Sequence, residues 1–253
     1  MTVFKKTHAW LHAGLLLVAT NIVAASPAGT LDTSFSGDGI ALTGFNPLDS
    51  SVLAVLQQTD GKVVEAGYSS ASGSDNKTLV LARYNNNGAL DTSFNGDGVL
   101  QVTMADGIRA AAVAQQTDGK LVTAGWMRQV GSNDKLAVVR VKTNGALDSN
   151  FSGDGVALAD AGSASARAYA VAVRSDNSVL AAGCTNQGGA TGDEFMLVNF
   201  NSSGELDNNF GSGGGVLTDI GGGTDCAYGI IKQKDGNIVL LDRKSTRLNS
   251  SHM

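Results

Sequence analysis

Gly88-Ala89-Leu90-Asp91-Thr92-Ser93-Phe94 decides how this chain folds, because the same frame returns at a fixed interval. Gly-x-Leu-Asp-x-x-Phe also runs from Gly29 to Phe35, from Gly145 to Phe151 and from Gly204 to Phe210. Its leucines, Leu31, Leu90, Leu147 and Leu206, stand 59, 57 and 59 residues apart. An Asp-centred turn keeps the same period: Asp60-Gly61-Lys62, Asp118-Gly119-Lys120, Asp176-Asn177-Ser178 and Asp235-Gly236-Asn237, with aspartates 58, 58 and 59 apart. Two landmarks holding one period over four copies make the chain a repeat array. Units of this kind bury their apolar faces by stacking on their neighbours.

Working outward from these landmarks, each unit resolves into four short strands. Strand a (Val52 to Gln57, Ala110 to Gln115) runs into the Asp-Gly turn, a hairpin signal when flanked by apolar runs. Strand b follows at Val63 to Gly67, Leu121 to Gly125 and Val179 to Gly183, each closing on glycine. Strand c is Leu79 to Tyr84, Leu136 to Val141 and Phe195 to Phe200. Strand d, at Gly98 to Thr103 and Gly155 to Leu158, comes after the Leu-Asp-x-x-Phe segment. Four strands per unit, repeated, predicts an all-β β-propeller of antiparallel blades. A small residue recurs at Ala54, Ala112, Ala170 and Gly229, as the crowded innermost strand requires. Its neighbours Val55, Val113, Val171 and Ile230 are β-branched, which suits a buried strand. Blades are expected at roughly 51–103, 109–160 and 167–219, preceded by one strand d and followed by a partial blade at 226–241. The array is read as a fragment of a larger propeller.

These motifs resemble a known family. Gly-x-Leu-Asp-x-Ser-Phe, Gly-Asp-Gly-Val, Gln-x-Asp-Gly-Lys-Val-Val-x-Ala-Gly and Leu-Ala-Arg-Tyr-Asn are similar to the delta-60 repeat, a β-propeller repeat of exported bacterial proteins of largely unknown function. The resemblance covers Gly29 to Leu241 and implies the propeller fold and export; it supplies no catalytic residues. The third copy departs with Asn177-Ser178 for Gly-Lys and Asn199 for the strand-c arginine. The fourth has Gly211-Ser212-Gly213-Gly214-Gly215 in place of Gly-Asp-Gly.

Composition bounds the chemistry. Of 23 acidic residues only Glu65, Glu194 and Glu205 are glutamates, a ratio that favours turns over helix. The net charge of -5, with no Lys/Arg cluster past the first few residues, argues against a nucleic-acid partner. The three histidines are His8, His12 and His252, which leaves the repeats without a Ser-His-Asp triad, a Cys-His dyad or a histidine metal site.

Both ends of the chain read as something other than repeat. Lys5, Lys6 and the apolar run Leu11 to Ala25 predict a signal peptide over residues 1–25, cleaved before Ser26, with no membrane association afterwards. The run is short of the ~20 residues of a spanning helix. At the other end, Asp242 to His252 can be encoded by DNA that resembles a sequencing-library adapter. Residues 242–253 are therefore read as an artefactual tail. The repeat agrees, since strand b of the fourth copy reaches Asp242 where the others have glycine.

The candidate functional residues are few. Asp32, Asp91, Asp148 and Asp207 are expected to cap turns, with Arg83 and Arg140 available to pair with such an aspartate. Phe35, Phe94, Phe151 and Phe210 should wedge between blades. Calcium at these aspartates is the alternative; Phe94 interrupts the run of oxygen ligands and no downstream glutamate completes it. No metal and no cofactor is expected. Cys184 and Cys226, on adjacent blades of an exported chain, are either a disulfide or two buried thiols. The loops between strands b and c repeat least, and binding residues concentrate on such loops. Tyr68, Trp126 and Arg128 are the candidates for a ligand rim there, against the plainer role of covering blade edges. The function expected is a non-catalytic, exported or surface-associated scaffold or binding module for an unknown carbohydrate or protein. The alternative is a secreted hydrolase using clustered Asp carboxylates.

Overall fold

The computed structural model describes residues 29–44, 49–71, 73–162, 164–186, 192–219 and 224–242. Both the expected signal peptide and the tail from Arg243 lie outside the described residues. Among the described residues there are strands and turns and no helix.

Three four-stranded antiparallel sheets follow one another along the chain, each in simple up-and-down order. The first holds β1 (Asp49–Gln57), β2 (Val63–Ser70), β3 (Thr78–Tyr84) and β4 (Val99–Val102). The second holds β5 (Ile108–Gln115), β6 (Leu121–Met127), β7 (Lys135–Val141) and β8 (Val156–Ala159). The third holds β9 (Ser165–Val173), β10 (Val179–Asn186), β11 (Asp193–Phe200) and β12 (Gly215–Thr218). A two-stranded sheet, β13 (Ala227–Lys232) with β14 (Ile238–Asp242), comes last. Among the described residues the sheets do not close into a ring. Residues 40–44, where a strand d was expected ahead of the first blade, form no strand, since no strand c is there to pair with them among the described residues.

The cores lie between sheets rather than within them. Leu79, Leu81 and Phe94 of the first blade pack on Ile108, Leu121 and Val139 of the second. Val122, Leu136 and Phe151 of the second meet Ala166, Val179 and Phe200 of the third. A smaller cluster joins Leu180 and Phe195 to Ala227, Ile230 and Leu240. The recurrent β-branched position therefore faces the preceding blade: Val113, Val171 and Ile230 are packed there. Val55 departs from the expectation of burial, at 67 % exposure, because no described sheet covers its face.

Strand b does not stop at its glycine, as the sequence suggests, but continues three residues further in β2 and β10 and two in β6. The glycine instead marks a β-bulge in strand a. Pairing slips between Val52 and Ala54, between Ala110 and Ala112, and opposite Ala182 and Gly183, which leaves Leu53, Ala111 and Tyr169 as the extra residues. The bulged backbone comes so close that a Cβ on Gly67, Gly125 or Gly183 would overlap the carbonyl oxygen of Ser51, Arg109 or Arg167. Bulges bend a strand and re-aim its side chains, here in every blade at the same height. The two-stranded sheet repeats the slip between Ala227 and Gly229, and Asp242 stands in the glycine's place. There the Cys226 N–H donates to Asp242 Oδ1 at 3.2 Å.

The a–b turns also differ in detail from a two-residue hairpin. Only the residue after the aspartate (Gly61, Gly119, Asn177 or Gly236) adopts positive φ, while Asp60, Asp118, Asp176 and Asp235 accept the backbone N–H two residues on. Asparagine tolerates this conformation, so the departure at Asn177-Ser178 leaves the turn intact.

The Gly-x-Leu-Asp-x-x-Phe frame fastens one blade to the next. Asp91 and Asp148 each accept the N–H two residues on with Oδ1, at 3.1 and 3.2 Å. Their Oδ2 atoms take Arg83 Nε at 2.7 Å and Arg140 Nε at 2.9 Å. Each guanidinium lies 4.5 Å from the ring of Phe94 or Phe151 and reaches into the next blade, donating to the carbonyl of Thr143 or Ser202. Phe94 and Phe151 are fully buried, and Gly145 and Gly204 of the following copy are where they land. The residue after the phenylalanine, Ser36, Asn95 or Ser152, holds φ near 54° and donates its N–H to Asn87, Asn144 or Ser203 across the interface. That bond supports a conformation non-glycine residues rarely adopt. Burial raises the Asp91 pKa, but Lys62 at 2.8 Å, Ser93 and Arg83 outweigh it and hold the carboxyl well below the ordinary range.

In the third blade Asn199 replaces the arginine; it still reaches Asp207 Oδ2 at 2.9 Å but cannot bridge onward. Phe210 is correspondingly half-buried, as is Phe35. The Asp32 side chain is exposed and, among the described residues, bonds Ser34 alone, accepting from the Ser34 N–H at 3.0 Å and its hydroxyl at 2.6 Å.

Candidate functional site at the blade rim

The end of each blade carrying the b–c loops is built differently. Each loop is pinned to the start of strand a in the next blade: Lys77 O accepts from Ile108 N, Asp134 O from Ala166 N and Asp193 O from Asp225 N, all at 2.8 Å. The rim is thus fixed by backbone bonds that do not depend on side-chain identity. Side chains at this end vary from copy to copy.

Tyr68 and Trp126 lie on β2 and β6 rather than in the loops, one residue past the bulge glycine. Opposite them on strand a stand Ser51 and Arg109. The Arg109 guanidinium sits 5.4 Å from the Tyr68 ring of the previous blade and 4.9 Å from the Trp126 ring of its own. Arg167, the equivalent residue of the third blade, lies 5.5 Å from Trp126. The bulge residue Tyr169 extends the row, 5.6 Å from Trp126 and 4.9 Å from Tyr228, its counterpart in the two-stranded sheet. At the next interface the same two positions are Cys184 and Cys226. They form a disulfide with Cα atoms 4.7 Å apart, in the place where an aromatic ring and an arginine meet in the earlier blades.

A cavity of about 300 Å³ opens at this rim, lined by Asp75, Arg109, Trp126, Arg128, Asp134 and Arg167. Arg128 bonds Asp75 at 2.9 Å, both partly in solvent. Arg167 holds Asp134, which is nearly buried, through Nε at 2.7 Å and Nη2 at 2.5 Å. Burial lowers the Arg167 pKa, and the bonds to Asp134 more than reverse it, leaving it raised. Arg109 is half-buried and has no carboxylate within ion-pair distance among the described residues. Its burial, with Arg167 and Arg128 nearby, moves its pKa down from the ordinary guanidinium value. The arrangement can orient an anion or a polar group; no hydroxyl, thiol or imidazole lines it to act as a nucleophile.

Two of the three rim residues named from the sequence, Trp126 and Arg128, line the cavity, and Tyr68 backs it through Arg109. Sequence reading missed Arg109, Arg167, Asp75 and Asp134. The signal for the first two was present: the arginines are 58 residues apart, in phase with the repeat. The four landmark aspartates are separate from this cavity, and Asp91 and Asp148 belong to the inter-blade contacts. A larger groove of about 520 Å³ between the outer strands of the second and third blades is lined mainly by Ala159, Met196, Val198, Leu206 and glycines 211 and 213–215, and it gathers no charged cluster. Among the described residues no group of three or more His, Cys, Asp or Glu side chains converges to hold a metal.

Comparison with protein families matches residues 58–94 and 116–151 to the family described as "Domain of unknown function (DUF5122) beta-propeller". No curated protein matches the chain. Each matched segment begins at the glutamine before the Asp-Gly turn and ends on the wedge phenylalanine, Phe94 or Phe151. The match thus spans strands b and c with the inter-blade frame, and over these two segments the chain is similar to a β-propeller family of unknown function.

Proposed function

We propose that this chain is a non-catalytic binding module of an exported or surface-associated protein, and that the rim cavity receives its ligand, a carbohydrate or a segment of protein. The carrying observation is the contrast within each repeat. A scaffold whose strands, bulges and inter-blade backbone bonds repeat from blade to blade presents, at the rim, side chains that differ between copies and enclose a cavity. Rigid scaffolds with variable rims are the usual arrangement of binding repeats. Export is supported by the signal-like residues 1–25 and by the Cys184–Cys226 disulfide, a bond that persists in oxidising compartments. Against the hydrolase alternative, both cavity carboxylates, Asp75 and Asp134, already lie in ion pairs.

Trp126 makes the reading testable, because the chain has only one other tryptophan, Trp10. In the full chain carrying Trp10→Phe, indole fluorescence reports the cavity. Titration with a panel of soluble oligosaccharides and peptides is expected to give a saturable change for at least one, with no product formed on prolonged incubation. Chromatographic appearance of cleaved product, or an indole blind to the entire panel, would overturn the proposal.

A further inference from the structure

Arginine is seldom left unpaired in this fold. Arg83 and Arg140 are buried, and each meets a buried aspartate at 2.7 and 2.9 Å. At the rim, Arg128 has Asp75 and Arg167 has Asp134. Among the described residues Arg109 and Arg174 alone lack a carboxylate within ion-pair distance, and of the two only Arg109 lines a cavity. It is held between the Tyr68 and Trp126 rings, with the guanidiniums of Arg128 and Arg167 lining the same cavity. Three guanidiniums there face two carboxylates, which pair with Arg128 and Arg167 and leave Arg109 as the unmatched charge. A half-buried cation beside two others is costly unless an anion joins it. On a chain of net charge -5 this concentration of positive charge is local.

We propose that the cavity is an oxyanion site, in which Arg109 takes a carboxylate, sulfate or phosphate group of the ligand, flanked by Arg128 and Arg167. This rests on the reading of the rim as a binding surface and narrows its ligand to an acidic one. The planar guanidinium fork matches such groups with two parallel N–H donors. Packing against two rings fixes the fork in advance and reduces the entropy lost on binding. A cavity of about 300 Å³ suits one acidic sugar residue or a comparable headgroup. Arg167 and Arg128 supply long-range attraction while their own carboxylates hold them in place.

The alternative role of Arg109 is a purely structural contact between blades, and the test separates the two. The Trp10→Phe full chain and its Arg109→Met partner are titrated with sodium glucuronate, glucose, sulfate and phosphate, with chloride matching the ionic strength. Arg109→Met keeps the apolar stem between the rings and removes the charge. Glucuronate or one of the inorganic anions is expected to saturate the Trp126 signal and raise the melting temperature. Affinity should fall about tenfold or more in Arg109→Met, the weight of one charge-assisted contact. The proposal is overturned if no anion gives a saturable signal, or if Arg109→Met binds the anions as well as its parent does. Saturable binding of neutral sugars or peptides that persists in Arg109→Met would also overturn it, while leaving the binding-module reading in place.

Discussion

The two ends of a blade interface solve the same problem in opposite ways. At the end carrying the Gly-x-Leu-Asp-x-x-Phe frame, an arginine, an aspartate and a phenylalanine recur in the first two blades with distances that agree within 0.2 Å: 2.7 and 2.9 Å for Arg–Asp, 4.5 Å twice for Arg–Phe. At the rim, equivalent positions hold Arg109 on Tyr68, then Arg167 on Trp126, then the Cys184–Cys226 bond. Rim contacts can change because backbone bonds from each b–c loop already fix the spacing. The frame cannot change so freely, because its side chains are buried and each leaves a partner stranded if lost. Where a repeat keeps its residues it builds the array. Where it varies them on a fixed backbone there is room for function.

The sharpest way to break the comparison is at Gly145, which adopts φ of 88° and sits against the Phe94 ring and the Asn95 backbone. Gly145→Val places a branched side chain in both a left-handed conformation and an occupied space. We expect loss of the soluble, cooperatively melting protein, checked by circular dichroism and size-exclusion chromatography. The same substitution at Gly131, which shares a positive φ of 76° but has open space around it, carries the backbone strain without the clash and should cost less.

The disulfide comes next in size. Its 42-residue separation corresponds to roughly 3–4 kcal/mol of loop entropy in the chain-entropy account. It fastens the two-stranded sheet to the third blade, so its removal should loosen that unit first. Thiol titration under denaturing conditions should find no free thiol before reductant is added and two afterwards. Hydrogen exchange after reduction should rise across β13 and β14 while β5 to β8 stay protected.

A smaller effect is expected from acid. Asp91 has a folded pKa depressed below the ordinary 3.8, so its stabilisation is present above that value and is lost as pH falls below it. Melting temperature should drop progressively below about pH 4, and Asp91→Asn should be less stable at neutral pH but show a flatter acid limb.

The array was legible because its signals are spaced by the repeat itself. The Asp-centred turns and the Leu-Asp-x-x-Phe segments each recur four times, and the strands fall close to where alternation and turns put them. The bulge was not legible, because one extra residue in strand a has no composition of its own: Leu53, Ala111 and Tyr169 share nothing but position. Gly67, Gly125 and Gly183 were its signature, but they read equally well as strand ends. The rim was half legible. Trp126 and Arg128 stand out beside a variable loop, whereas Arg109 and Arg167 fall on a position filled by Ser51 in the first copy and Cys226 in the fourth, so no recurrent landmark marked them.

The partition between frame and rim is tested most directly by equilibrium unfolding of Arg140→Met and Arg109→Met, measured side by side with the parent chain. Arg140→Met leaves Asp148 fully buried without its arginine and should cost about 3–5 kcal/mol. Arg109→Met gives up two ring contacts and no ion pair, and should cost about 1–2 kcal/mol at most. If Arg109→Met destabilises the protein as much as Arg140→Met does, the rim arginine is a structural fastening like its counterpart, and the division of labour between the two ends is wrong.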